Sequence, residues 1–417
     1  MYYRQIYILT IILSLLITSC QELPTDPGDS VSIQTTDGVN HWGGEYNDFG
    51  HHVYETADGG YAVVGSQYSV GTQEDLALVK FNSSLVAEDQ YIYSAAGDDS
   101  VYNNNANDVQ QTLDGGYVTV GNTFNGSNYD VLIVKFSPQL TVTWWDTIGG
   151  AFNDFGNSIQ ETSDGGFLVC GTKYDGNDED VMLWKVTVAD NTPSYTILYN
   201  PESATDNGTR EYGIYAEQTS DGGYIVAATV PTGIQVTKLA ADGTADTGFN
   251  TDGSPLTITG CDNIEKVKQL VDGSYIVLGN VEEANKQSQI YINTITSAGV
   301  AGTAETWGGV RADKASSIVQ TLDGGFVITG SQYSDATADD IWIVKFDDSL
   351  NPSWERTYGG DLNDNGSSIM QTDDGGYIVT GSSMSYGNQS QIILLKVDAL
   401  GCVYDDEGKL LNCGLGS

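Results

Sequence analysis

Thr162-Ser163-Asp164-Gly165-Gly166-Phe167-Leu168-Val169-Cys170-Gly171 is one copy of a motif that the chain writes seven times. Its Asp-Gly pair recurs at Asp58, Asp114, Asp164, Asp221, Asp272, Asp323 and Asp374, at spacings of 56, 50, 57, 51, 51 and 51 residues. A period of this length marks an array of like units. Short apolar runs bracket each turn, such as Ser368-Ile369-Met370-Gln371 before and Tyr377-Ile378-Val379-Thr380 after, which predicts a hairpin. Asp-Gly suits its tight turn because Gly adopts positive φ without a Cβ clash and Asp tolerates it. The fifth copy departs, with Leu270 in place of Thr and Ser274 in place of the second Gly.

Beyond the hairpin each copy has a variable loop and then an apolar run, which ends in Lys80, Lys135, Lys185, Lys238, Lys345 or Lys396; copy five has Thr294 there. These runs are short and rich in β-branched residues, as buried strands are. A turn such as Asp347-Asp348-Ser349-Leu350 leads to a last strand with aromatics, Trp354 to Tyr358, closed by Gly359-Gly360. Four antiparallel strands per repeat of about 50 residues is the build of a propeller blade. The expected fold is therefore all-β, a seven-bladed β-propeller over residues 32–400, with an open β-solenoid as the alternative.

The chain ends argue for a ring. The seventh copy stops at its third strand, Lys396-Val397, while Val39-Asn40-His41-Trp42-Gly43-Gly44 matches the fourth strand Ala304-Glu305-Thr306-Trp307-Gly308-Gly309. The N-terminal strand is expected to complete the last blade, which removes edges that invite aggregation. Cys402-Val403-Tyr404 competes for that place but lacks the Trp-Gly-Gly signature. The repeat resembles the Asp-Gly-Gly-Tyr β-propeller repeats of exported bacterial proteins and is distantly kelch-like in period. The resemblance implies fold and says almost nothing of function.

Met1 to Gln5 precede an apolar run from Ile6 to Ile17, too short to span a bilayer, and then Thr18-Ser19-Cys20. Ile17-Thr18-Ser19-Cys20 resembles the lipobox of bacterial lipoproteins. That resemblance implies a signal peptide over 1–19, acylation of Cys20, and, with Gln21 rather than Asp following, an outer-membrane address in the cell envelope. Residues 20–31 read as a tether. With 16 basic against 56 acidic residues the net charge is −40, which argues against nucleic acid and other phosphate-rich partners. Cations, basic proteins and neutral sugars fit that charge; a monomer is expected.

Six of only 16 basic residues stand at the end of strand three, and we expect Lys80, Lys135, Lys185, Lys238, Lys345 and Lys396 to form structural ion pairs with Asp58, Asp114, Asp164, Asp221, Asp323 and Asp374. Cys402 and Cys413 flank a small hairpin within the 401–417 tail, and an oxidising compartment makes a disulfide between them the expectation. Cys170 stands at a small core position, and neither it nor Cys261 has a metal-site spacing.

Chemistry, if present, is expected in the inter-blade loops and the loops between strands two and three, which share the end of the ring opposite the Asp-Gly turns. There Asn47-Asp48, Asn153-Asp154, Ala312-Asp313 and Asn363-Asp364 recur, with Tyr68, Tyr129, Tyr174 and Tyr333 nearby. Asp48, Asp154, Asp313 and Asp364 are candidate ligand or calcium residues, since Asp and Asn beside Tyr suit sugar or calcium binding. Turn capping through their own backbone is the competing reading. No cofactor is required. His41, His51 and His52 are the only histidines, and no nucleophile elbow, phosphate loop or zinc-protease motif occurs. The sequence thus reads as an anchored envelope propeller that binds or scaffolds a glycan or protein ligand without catalysis. The alternative is a polysaccharide hydrolase or lyase that uses loop carboxylates.

Overall fold

The structure, a computed structural model, describes residues 33–34, 38–68, 74–93, 103–199, 211–282, 288–309, 312–334, 338–404 and 409–413. Cys20, the signal segment and the tether lie outside them. Seven sheets of antiparallel strands form the blades of a β-propeller. Their innermost strands are Asp48–Glu55, Asn104–Gln111, Asp154–Glu161, Tyr212–Gln218, Asn263–Gln269, Asp313–Gln320 and Asp364–Gln371, and each contacts the next around a closed ring. In the first six blades the next three strands follow in chain order.

The seventh blade borrows its fourth strand. Val39–Trp42 pairs antiparallel with Gln391–Val397, Val39 opposite Leu395 and Trp42 opposite Ile392, and Ile33–Gln34 adds a short strand outside it. Val403–Tyr404 pairs instead with Leu410–Asn412, and Cys402 and Cys413 are disulfide-bonded. This hairpin is a cover: Val403 packs in one cluster with Val39, Leu395 and Val397, and the Tyr358 hydroxyl donates to the Gly401 carbonyl.

The core lies between blades rather than within one. Ala62, Val64, Leu76 and Leu78 of blade one pack on Ala106, Val109, Tyr117 and Val134 of blade two; Val53, Tyr61 and Val79 pack on Trp42, Ile378 and Ile392 across the closure. Each fully buried side chain of this size contributes roughly 1.5–3 kcal/mol. Burial on both faces is why these strands read as unbroken apolar runs rather than alternating ones.

Two backbone devices repeat in every blade. The innermost strand carries a bulge at one position, between Gly50 and His52 in blade one and between Gly156 and Ser158 in blade three. In blades one to three the extra residue of the bulge fastens the next blade: His51 Nδ1 meets the Ala106 carbonyl at 2.8 Å, Asn107 Nδ2 donates to Gly156 O at 2.8 Å and Asn157 Nδ2 to Gly213 O at 2.6 Å. At the strand's end a Gln or Glu accepts the backbone N–H of the preceding blade's turn, as in Ala57 to Gln111 (2.8 Å), Ser163 to Gln218 (2.8 Å), Ser220 to Gln269 (2.7 Å) and Leu322 to Gln371 (2.7 Å).

Candidate functional site

The Asp-Gly turns close one end of the ring. In blade three Gly165 has φ 78°, Asp164 Oδ1 accepts from Thr162 Oγ1 (2.6 Å) and Gly166 N (3.1 Å), and Lys185 Nζ lies 2.5 Å from it. Lys135 and Asp114 (2.9 Å), Lys238 and Asp221 (2.9 Å), Lys345 and Asp323 (3.0 Å), Lys396 and Asp374 (2.7 Å), and Lys80 and Asp58 repeat the pair. Lys135, Lys238 and Lys345 also donate to the carbonyl of the following residue. Each lysine therefore ties the third strand to the turn beside it. Lys80, with help from the Thr56 hydroxyl, holds the Asp58 carboxyl down at about 2. In blade five, which has no lysine here, Thr294 stands opposite Ile276, and Asp272 takes the hydroxyl of Ser274 at 2.6 Å.

At the opposite end the four candidate aspartates sit in separate blades, and the structure does not gather them. Each is buried and shapes its own inter-blade loop: Gly44 N donates to Asp48 (2.8 Å), Gly309 N to Asp313 (2.5 Å) and Gly360 N to Asp364 (2.7 Å). Asp154 takes the backbone of Gly150 in the same way but keeps its Oδ1 buried and unpartnered; burial, then the Asp130 carboxylate, push its pKa up to about 6. The neighbouring asparagines fasten the blade before. Asn47 accepts from Ser390 N (3.0 Å), Asn153 from Tyr129 N (3.0 Å) and Asn363 from Asp339 N (3.3 Å). Recurrence of Asn-Asp thus follows from joining blades.

Among the described residues one acidic trio converges, Asp175, Asp178 and Asp180 of blade three, with an oxygen from each within 4.8 Å of the others. The same loop in blade two holds Asn125, Asn128 and Asp130, whose amides donate to the carboxylate at 2.8 and 3.2 Å.

What varies on this end is aromatic. Tyr129 sits between Phe124 (5.3 Å between ring centroids) and Phe155 (5.9 Å), which joins blades two and three. Phe49 and Tyr68 (6.2 Å) pair edge-on in blade one, as do Phe152 and Tyr174 (5.4 Å) in blade three. Tyr46, Phe152 and Tyr333 are 37–43% exposed, so rings face solvent amid amides and carboxylates. Phe49, Phe124, Phe152 and Phe155 escaped sequence reading, although Phe49 and Phe155 share one position of the repeat.

The histidines separate. His41, on the borrowed fourth strand of blade seven, stacks on Tyr386 (6.0 Å, 12° between planes). His51 faces Ala106. His52 turns to the ring axis, Nδ1 3.2 Å from Asp108 Oδ1, where burial lowers its pKa to about 4.

No protein-family model matches the sequence, and no curated protein matches it. Solved structures share the fold. The polysaccharide lyase Uly1 is 9% identical with a TM-score of 0.52, over 84% of this chain and 90% of that one. A protein of unknown function from Dyadobacter fermentans is 10% identical (TM-score 0.48, 85% and 97%), and the Pan2 WD40 domain of Neurospora crassa 11% (0.48, 83% and 88%). Likeness at this identity concerns the ring of blades alone.

Proposed function

We propose that the protein is a lipid-anchored binding module of the bacterial cell envelope, acylated at Cys20 and held at the outer membrane, that takes a glycan or protein ligand on its loop end without catalysis. The observation that carries the reading is the aromatic band over blades one to three, centred on Tyr129 between Phe124 and Phe155. Half-buried rings beside amides offer a ligand apolar contact and hydrogen bonds together, as binding surfaces do. The recurrent loop carboxylates Asp48, Asp313 and Asp364 serve their own backbone instead, which favours binding over acid–base chemistry.

The test is a glycan array and an envelope pull-down with the mature chain, repeated with Tyr129→Ala and Phe155→Ala. Binding should fall at least tenfold in both, with the thermal midpoint little changed in Phe155→Ala. Polysaccharide turnover abolished by a single loop carboxylate substitution would overturn the reading in favour of a hydrolase or lyase. Cys20→Ala should move the protein from the membrane to the soluble fraction.

A further inference from the structure

On the ring axis, away from the loop-end aromatics, residues of all seven innermost strands line a half-open cavity of about 130 Å³. Two lysines of blade five reach it. The innermost strands pack so that the side chain just after the bulge can accept the backbone N–H of the next blade. Asp108 Oδ2 takes Ile159 N at 2.9 Å, and Ser158 Oγ takes Ala216 N at 3.2 Å. Lys266 holds this position in blade five, after the bulge between Ile264 and Lys266. An ammonium is donor only and cannot make that bond.

The two lysines differ in their surroundings. Lys266 Nζ and Lys268 Nζ lie 5.0 and 4.9 Å from the centre of the Tyr215 ring. Lys268 is paired with Glu217 at 2.8 Å. Lys266 is 8% exposed and, among the described residues, its ammonium has no hydrogen-bond acceptor and no ion-pair partner. Of the nearby carboxylates, Asp108 accepts from Ile159 N through Oδ2, and Glu217 is held by Lys268 and Gln269 N.

We propose that this cavity binds a small oxyanion, a carboxylate or a tetrahedral anion, whose oxygens take the hydrogen bonds that the Lys266 ammonium lacks. The Asp108 and Glu217 carboxylates act on this ammonium only from beyond ion-pair distance, and a bound counter-ion would supply the direct contact they do not. The cavity is somewhat smaller than the 150 Å³ apolar cavity that admits benzene, so an anion of about six heavy atoms or fewer fits within it. Burial, with Lys268 alongside, lowers the Lys266 pKa to about 8 against the opposing pull of the Asp108 and Glu217 carboxylates. An anion at Nζ would raise it again. The sevenfold repeat supplies no other lysine at this position, so the site belongs to blade five and not to the architecture.

The mature chain is titrated calorimetrically with sodium acetate and with sodium phosphate at constant ionic strength, with glucose as the neutral control. Saturable binding of one anion or both is expected, and which of them binds identifies the ligand as carboxylate or tetrahedral. Lys266→Met should lower the affinity at least tenfold, while Lys409→Met, exposed on the C-terminal hairpin, leaves it unchanged. No saturable binding of either anion, or equal binding to Lys266→Met, would overturn the proposal. Lysine side-chain NMR of the wild-type chain decides the matter if that variant does not fold: the Lys266 pKa must rise with anion, and a value that stays fixed refutes the site.

Discussion

Glu55 Oε2 accepts the backbone N–H of Asp373 at 3.0 Å, a bond between the first blade and the last across 318 residues of chain. It is the closing member of the series in which Gln111, Glu161, Gln218, Gln269, Gln320 and Gln371 each hold the turn of the preceding blade. Glu55→Ala leaves that N–H without its acceptor and should cost about 1–2 kcal/mol. Glu55→Gln keeps an acceptor and should cost little. Chemical denaturation of both variants reads the difference.

Removal of residues 31–44 takes away the strand that covers Gln391–Val397 and with it the buried Val39 and Trp42. The neighbours of Trp42 in its cluster, Ile378, Ile392 and Val53 among them, lose their cover. The thermal midpoint should drop by well over 5 °C, since one buried aromatic alone is worth several kcal/mol. An unchanged midpoint would refute the closure as a stabilising element.

The turn pairs set an acid limit. Asp58, Asp221, Asp323 and Asp374 are each held at about 2, below the value near 4 of an unfolded chain. A depressed folded pKa stabilises fully above the unfolded value and loses that contribution as pH falls through the folded one. The window is therefore about pH 4 down to pH 2. Each aspartate is more than half exposed, so solvent screening keeps each pair to a fraction of about 1 kcal/mol. The stability that Lys238→Met loses relative to wild type should be larger at pH 6 than near pH 2, where only the Leu239 carbonyl bond still separates the two, by thermal scans at matched ionic strength.

Asp154 has the opposite sign. Its folded pKa of about 6 lies above the unfolded one, so its cost is absent below about pH 4 and complete above pH 6. Asp154→Asn, which copies Asn104 of blade two, should raise stability by about 1–2 kcal/mol at pH 8. The gain should vanish by pH 4. A gain equal at both pH values would refute the electrostatic origin.

The blades and the Asp-Gly turns were legible because each is local in sequence and repeated, so seven copies average out substitution, and the borrowed strand because it carries the Trp-Gly-Gly ending of another blade's fourth strand. The Gln or Glu that grips the preceding turn was equally visible, one residue before the turn's first position in every copy. A strand-end Gln reads as a solvated face, however, and its partner lies about 50 residues back in the chain. Lys266 and Lys268 were obscured for another reason. They stand in the copy with the altered turn and missing lysine, where departures from the repeat read as decay, and only the ring brings them against Tyr215 and the Asp108 and Glu217 carboxylates. The aromatic band was half legible: tyrosines stood out beside loop aspartates, but the tilted packing of Tyr129 against Phe155 depends on the approach of two blades.

The borrowed strand also orders events in time. Trp42 leaves the ribosome some 350 residues ahead of its partner Ile392, which is made after almost every other residue of the ring. Neighbouring strands within a blade can pair as soon as they exist, whereas this clasp must close a loop of some 350 residues, the slowest kind of contact to form. A chain cut short anywhere before Gln391–Val397 has no circle to close. Completion of the circle is thus a record that translation reached its last blade.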